Sequence, residues 1–193
     1  EAHAERAMDS NDQERERGIT ILAKCTSILW DKGGEDYRLN IVDTPGHADF
    51  GGEVERILGM VDGCVILVDA SEGVMPQTKL VLSKALKRGL KPMVVLNKVD
   101  RASADPDKAL NEIFELFLAL GATDEQADFP ILYASGKEGW AKTDMSGENK
   151  DLTPLFDLIT RHVPDPDRIQ KKDEPFAFLV TMIDSDPFLG RIL

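Results

Sequence analysis

The sequence predicts a doubly wound α/β fold built on a mostly parallel sheet. Apolar runs of strand length occur at residues 63–70, 91–100 and 129–135, and unbroken runs of this kind are typical of parallel strands buried on both faces. Segments with helical periodicity lie between them, and the connections are short. Alternation of strands and helices with short connections defines an α/β architecture.

Each segment predicted to be helical carries its own start and stop signals. In the second, Asp105 is placed to cap the amino terminus, Pro106 suits the first turn and Gly121 ends the helix. The first helix ends at Gly89, and the third repeats the start signal with Thr153 followed by a proline. The residues expected to face the core are Val81, Leu82, Ala85 and Leu86 in the first helix and Leu110, Ile113, Phe114 and Phe117 in the second.

Two β segments flank this alternating region. Residues 18–30 and 39–43 are rich in strand-forming residues and predict a hairpin with a loose tip. The polar, proline-containing residues 164–174 read as a linker, so we expect an α/β domain over 1–163 and the first strands of a second, β-rich domain over 175–193.

Composition restricts the classes of function. The chain has 193 residues and a net charge of −12, which argues against a free-standing nucleic-acid binder, so we expect no direct DNA binding. It contains neither a secretory signal nor an apolar stretch of membrane-spanning length, and we expect no membrane contact. Cys25 and Cys64 lie in apolar-leaning runs without metal spacing, which favours buried free thiols in a reducing cytoplasm over a disulfide. We also expect a monomer.

The pattern D-x-x-G occurs four times, at residues 31–34, 43–46, 49–52 and 144–147, and context selects the second. Asp43 ends an apolar run that we read as a buried strand, and open α/β sheets bind ligands at the carboxyl ends of their strands. Its carboxylate can hold Mg²⁺ through water. Gly46 lacks a Cβ, so its backbone N–H can approach a terminal phosphate. The other three matches are expected to be turns.

The sequence NKVD follows a second buried strand. The Asp100 carboxylate can accept two N–H donors from the Watson–Crick edge of guanine, a pair that adenine does not offer. Asn97 can bond the base and tie loops together, and the stem of Lys98 can lie over the purine. Residues 134–139 follow a third strand, and their backbone N–H groups could meet the base carbonyl. A polar strand-end loop for NKVD and a plain βα loop for 134–139 are the alternative interpretations.

Two further side chains are candidates for phosphate chemistry. The hydroxyl of Thr20 could ligate Mg²⁺ when a γ-phosphate is present and be released when it is gone. Taken alone, Thr20 is better explained as a strand-forming residue. His47 could orient the water that attacks a γ-phosphate, and the alternative is a loop histidine that caps a helix.

The motifs RGITI, DTPGH, NKVD and SGK, in this order, resemble the guanine-nucleotide-binding domain of translational GTPases. The tracts at 8–24, 70–101 and 120–135 resemble the BipA/TypA family in particular, whereas LepA shares ERERGITI and is less similar elsewhere. The resemblance implies a P-loop GTPase-type fold followed by a β-barrel domain, with GTP/GDP and Mg²⁺ as ligands and the ribosome as partner.

The resemblance also implies a role for each matching residue. Thr20 and Asp43 would ligate magnesium, Gly46 would contact the γ-phosphate, and His47 would be the catalytic histidine. Many relatives in the wider class have alanine after the serine that matches Ser135, and Gly136 departs from that pattern. The residues that would hold guanine are Asn97, Lys98, Val99, Asp100, Ser135, Gly136 and Lys137.

The phosphate loop G-x-x-x-x-G-K-[ST] of such proteins does not occur in the 193 residues. The resemblance places this loop after a first strand between the strands that end at Asp43 and Asp69. We therefore expect a fragment of a GTP-hydrolysing switch domain, with impaired nucleotide binding. The alternatives are a catalytically inactive docking module of the same fold and an ATP-using relative, against which Asp100 argues.

Overall fold

The computed structural model describes residues 23–44, 51–164, 175, 180 and 183–192. In these residues the strands form a central four-stranded sheet and two separate hairpins. The elements in chain order are β1 (Lys24–Lys32), β2 (Glu35–Asp43), α1 (Gly51–Leu58), β3 (Val65–Asp69), α2 (Pro76–Lys87), β4 (Met93–Asn97), α3 (Pro106–Ala119), α4 (Asp124–Ala127), β5 (Ile131–Ser135), β6 (Trp140–Lys142), α5 (Thr153–His162), β7 (Asp184–Asp186) and β8 (Gly190–Ile192).

The central sheet has the order β3-β4-β5-β6, in which β3, β4 and β5 are parallel and β6 runs antiparallel to β5. Strand β4 is buried on both faces, as predicted, because Met93, Val94, Val95 and Leu96 are each at most 2% exposed. Strand β3 is not, since Leu67 is 62% exposed. In the described part of the chain, β3 pairs only with β4, so it forms an edge with one face left uncovered.

Helices cover both faces of this sheet, which is the doubly wound arrangement that the sequence predicts. Side chains of β4 alternate between the two layers, with Val94 and Leu96 in one and Met93 and Val95 in the other. The first layer includes α2 and α3 through Leu82, Leu86, Ala109, Ile113 and Phe117, and the second includes α5 through Leu155, Leu158 and Ile159.

Helix α3 begins as its sequence predicts. The Asp105 side chain accepts a hydrogen bond of 3.0 Å from the backbone N–H of Lys108, which satisfies one of the donors left free at a helix start. Phe117 is fully buried, and its ring centroid lies 4.3 Å from that of Phe129. Phe114 was expected to face the core as well, but it is 44% exposed because it lies at the border of the apolar stripe.

Two local predictions about the later helices were wrong or incomplete. The Thr153 side chain does not cap α5; instead, Asp151 Oδ1 accepts a 2.8 Å hydrogen bond from the Thr153 N–H. The short helix α4 was not predicted. It is closed by a reciprocal capping box between Thr123 and Gln126. The Gln126 amide also donates to the carbonyls of Leu86 and Leu90, at 3.2 and 2.9 Å.

The hairpin of β1 and β2 is tighter than predicted, because its second strand begins at Glu35 instead of residue 39. Its strands pair without interruption from Lys24↔Asp43 to Lys32↔Glu35. The turn consists of Gly33 and Gly34, which have φ values of +65° and +97°, a backbone region that glycine adopts without strain. The prediction of a loose tip was therefore wrong, because two glycines connect the strands directly. The Asp31 side chain accepts the Gly34 N–H at 2.7 Å, which confirms the turn predicted at 31–34.

The hairpin packs on α5. The ring centroids of Trp30 and Phe156 are 5.0 Å apart, and Lys32 Nζ lies 3.4 Å from a carboxylate oxygen of Asp157. Strand β2 alternates between exposed and half-buried residues. The sequence interpretation of a buried strand ending at Asp43 was wrong, since one face of this two-stranded sheet meets solvent.

Three smaller expectations concern the cysteines and the polar segments. Cys25 is exposed, which corrects the prediction that both thiols are buried, and Cys64 is half-buried; neither forms a disulfide.

Within 142–151, Lys142 Nζ donates to the Gly147 carbonyl and to Asn149 Oδ1. In 183–192, β7 and β8 form a hairpin, whereas 165–174 lies outside the described residues. Among the described residues no helix is both long and apolar enough to cross a membrane.

Candidate functional site

Three parallel strands end side by side at one edge of the central sheet. Strand β3 ends at Asp69, β4 at Asn97 and β5 at Ser135. Asp69 is opposite Asn97, and Asn97 is opposite Ala134. The NKVD segment and the loop after β5 are therefore neighbours at the edge where open α/β sheets bind ligands.

The side chain of Asn97 connects the two loops. Its Oδ1 accepts hydrogen bonds from the backbone N–H groups of Lys98 and Gly136, both at 2.9 Å. The N–H of Val99 adds a third connection by donating to the Ala134 carbonyl at 3.3 Å. The predicted loop-tying role of Asn97 is thus visible in the geometry.

Lys98 has an unusual backbone and a fixed side chain. Its φ is +64°, the one positive φ among the non-glycine residues that the structure describes. Its Nζ lies 2.6 Å from Asp69 Oδ2. Sequence reasoning assigned no role to Asp69, although the apolar run that closes on it marked its position. Burial raises the pKa of Asp69, but the hydrogen bonds from Lys98 and from the Ser71 N–H outweigh burial and hold that pKa below its usual value.

Val99 and Asp100 have different environments. Val99 packs partly against the apolar core, so its side chain anchors the turn rather than facing a ligand. Asp100 is exposed at the surface. The turn that carries it closes with a 3.1 Å hydrogen bond from the Arg101 N–H to the Lys98 carbonyl. A carboxylate in this position has the acceptor atoms that the N–H donors of a guanine edge require.

The loop after β5 is organised by Ser135, which is fully buried. Its hydroxyl accepts the Glu138 N–H at 3.3 Å, and its carbonyl accepts the Gly139 N–H at 2.8 Å. Gly136 and Lys137 are exposed. Because the N–H of Gly136 is bonded to Asn97, the N–H of Lys137 is the better candidate to meet a base carbonyl.

The residues predicted for phosphate and magnesium chemistry are not brought together in the described structure. Thr20, Gly46 and His47 lie outside the described residues. Asp43 ends β2, which belongs to the separate hairpin and is exposed. Within the described ranges, no group of three or more His, Cys, Asp or Glu side chains could hold a metal ion.

The fold and the loops at the strand ends are those of a guanine-nucleotide-binding type of α/β domain. Comparison with known proteins supports this class. Residues 1–165 match the elongation factor Tu GTP binding domain, and the chain belongs to this family. The crystal structure of a bacterial selenocysteine-specific elongation factor, EF-Sec, superposes with a TM-score of 0.62 and 25% identity, covering 80% of this chain and 24% of that one.

Particular relatives are more similar. The large ribosomal subunit assembly factor BipA of Synechocystis sp. is 56% identical over 96% of this chain, and that of Escherichia coli strain K12 is 55% identical over 97%. The BipA/TypA resemblance of the motifs is therefore confirmed. The chain spans 30% of the length of each of these relatives.

Proposed function

We propose that this chain binds a guanine nucleotide at the strand-end edge of its central sheet, and that it serves as the GTP-hydrolysing switch domain of a ribosome-associated protein. The observation that carries the proposal is the side chain of Asn97, which joins the NKVD turn to the loop after β5. Membership of a GTP-binding domain family supports the class of ligand.

The base is recognised by hydrogen-bond complementarity. The Asp100 carboxylate accepts the N1–H and 2-amino donors of guanine, while the Lys137 N–H donates to the base carbonyl. Adenine lacks this arrangement of donors and would leave the carboxylate without a partner. A site that leaves a polar group unpaired rejects the wrong ligand more strongly than a site that only loses an apolar contact. The Lys98 stem covers one face of the purine.

Hydrolysis requires residues at the phosphate end. Thr20 and Asp43 would hold Mg²⁺, which would neutralise charge on the phosphate oxygens, and the Gly46 N–H would contact the γ-phosphate. His47 orients the attacking water, and loss of the γ-phosphate releases the loops. The relatives' names point to the large ribosomal subunit as partner. We further propose that the protein is a cytoplasmic monomer. Its G domain would cover residues 1–163, followed by a linker over 164–174 and by β-barrel strands from 175.

The decisive test is selectivity among bases, because the 193 residues contain no phosphate-loop motif and their affinity for a nucleotide is expected to be weak. The ¹⁵N-labelled chain is titrated with GDP, ADP and XDP in the presence of Mg²⁺, and amide shifts are followed at residues 97–101 and 135–138. We expect GDP to shift these amides at concentrations where ADP does not, and the β7–β8 hairpin to stay unchanged.

The variant Asp100→Asn sharpens this test. An asparagine offers one acceptor and one donor, which match the N1–H and the 2-carbonyl of xanthine, so preference should move from GDP to XDP. Asp107→Asn removes the same charge from the exposed first turn of α3 and should keep the preference for GDP. Equal shifts with GDP and ADP in the parent chain, or an unchanged GDP preference in Asp100→Asn, would refute the proposed base site.

The catalytic half is tested separately. GTP hydrolysis by the parent chain and by His47→Ala is measured with and without large ribosomal subunits. Hydrolysis stimulated by the subunits and reduced on the order of 100-fold or more in His47→Ala would support the role of His47. An equal rate of subunit-stimulated hydrolysis in the two proteins would contradict this role and leave the base-site result untouched.

A further inference from the structure

Asp69 is a largely buried carboxylate at the edge of the sheet where the base is proposed to lie. It ends β3 directly beside Asn97 of β4, and its side chain is only 15% exposed. Oδ2 accepts a hydrogen bond of 2.6 Å from Lys98 Nζ, and Oδ1 accepts one of 2.8 Å from the Ser71 N–H. The guanidinium of Arg101 lies 3.8 Å from Oδ2. A largely buried carboxylate is stabilised by partners of this kind.

Lys98 is held at both ends. The hydrogen bond between its N–H and Asn97 Oδ1 fixes the backbone, whose φ of +64° is costly for a residue with a side chain. The contact with Asp69 fixes Nζ. The stem therefore runs from the end of β4 towards the end of β3, along the edge where the base is proposed to lie. A strained backbone at such an edge is a conformation that the surroundings must enforce.

We infer that Asp69 is a positioning residue for guanine-nucleotide binding, which anchors the Lys98 ammonium so that the lysine stem forms a preorganised platform for one face of the base. The inference rests on the function proposed above. Asp69 does not touch the base. It reduces the rotamer entropy that Lys98 would otherwise lose when the nucleotide binds.

The pair also explains why a lysine is suited to this position. Four methylene groups provide an apolar surface, and the ammonium can reach Asp69 while the stem stays extended. Lys98 remains 43% exposed along its side chain, so the platform is open to a ligand on its outer face. An anchor that engages only the ammonium leaves the stem free to pack against the base.

The test is a double-mutant cycle with GDP affinity as its measurement. Asp69→Asn keeps the shape and the bond to Ser71 but removes the charge, and Lys98→Met keeps an apolar stem without the ammonium. We expect each single variant to bind GDP roughly 5- to 10-fold more weakly than the parent chain. The double variant should be no weaker than Lys98→Met alone, because both changes remove the same contact. Asp62→Asn, an equal charge change at an exposed residue, should bind like the parent.

A second measurement separates positioning from a general effect on folding. In ¹⁵N-lysine spectra at low temperature, the Lys98 ammonium should give a slowly exchanging signal in the parent chain that disappears in Asp69→Asn and persists in Asp62→Asn. Thermal unfolding of each variant is recorded alongside. A Lys98 signal that survives in Asp69→Asn would overturn the inference.

The remaining outcomes are equally decisive. If Asp69→Asn binds GDP like Asp62→Asn, or if it weakens binding by the same factor with and without Lys98→Met, Asp69 does not act through Lys98 and the inference fails while the base site stands. If the parent chain does not distinguish GDP from ADP, the proposed function itself fails and the inference falls with it.

Discussion

The structure predicts that the side chain of Asn97 makes a measurable contribution to the free energy of unfolding. In Asn97→Ala the backbone N–H groups of Lys98 and Gly136 lose a shared acceptor at 2.9 Å. A hydrogen bond of this type contributes about 0.5–1.5 kcal/mol net, so we expect the free energy of unfolding to fall by about 1–3 kcal/mol. For a chain of this size that corresponds to a decrease in Tm of roughly 2–10 °C.

Two variants isolate the cause. Asn97→Asp keeps an acceptor oxygen in place and should retain most of the stability, while losing GDP binding because the amide donor is gone and a second carboxylate stands near Asp100. Asn40→Ala makes the same truncation on the exposed side of β2 and should change the unfolding free energy by less than about 0.5 kcal/mol.

The assay is thermal unfolding by circular dichroism, combined with amide hydrogen exchange. In Asn97→Ala the N–H of Gly136 should exchange roughly 2- to 10-fold faster, as expected for the loss of one hydrogen bond. The reasoning is refuted if Asn97→Ala is as stable as Asn40→Ala, or if the Gly136 exchange rate is the same in Asn97→Ala and Asn97→Asp. Either result would mean that the loops are held together by other contacts.

Three more predictions follow from packing and burial. Phe117→Ala removes a fully buried ring and should lower the free energy of unfolding, measured with urea, by about 3–5 kcal/mol. The same truncation of the half-exposed Phe114 should lower it clearly less. Equal losses in the two variants would contradict the difference in burial. Gln126→Ala deprives two carbonyls of a donor and should cost about 1–3 kcal/mol, measured by the same unfolding experiment. Burial raises the pKa of Cys64 to about 12, so at pH 8 iodoacetamide should label Cys25 but not Cys64, as read by mass spectrometry. Because the Cys64 thiol ionises from about pH 8.5 in the unfolded chain but only near 12 in the folded one, the free energy of unfolding should fall between these two pH values.

Most of the longer strands and helices were readable from the sequence because they carry their signals locally, whereas helix α1 was not predicted. The apolar run of β4, the Asp105–Pro106 start of α3 and the glycine after each of α2 and α3 are decided within a few residues. The errors occurred where the decision is not local. Phe114 and Phe117 have the same chemistry, but Phe117 lies inside the core cluster with Ile113 and Phe129, whereas Phe114 is 44% exposed.

Short elements escaped prediction for the same reason. Helix α4 has four residues and β6 has three, too few for a period to be recognised. Helix α4 is stabilised by the contact of Gln126 with carbonyls about 40 positions earlier in the chain. Strand β6 exists because β5 offers it an edge.

The sequence by itself indicated the class of protein, the longer strands of the sheet and the residues proposed to recognise a base, because motif chemistry resides in the identity of side chains. Tertiary structure alone decided how those residues cooperate. The bridge from Asn97 to Gly136 and the pair of Asp69 with Lys98 join residues 39 and 29 positions apart, and they exist because parallel pairing brings the carboxyl ends of β3, β4 and β5 to one edge. No periodicity along the chain encodes that proximity, since it arises only when the strands are aligned in register.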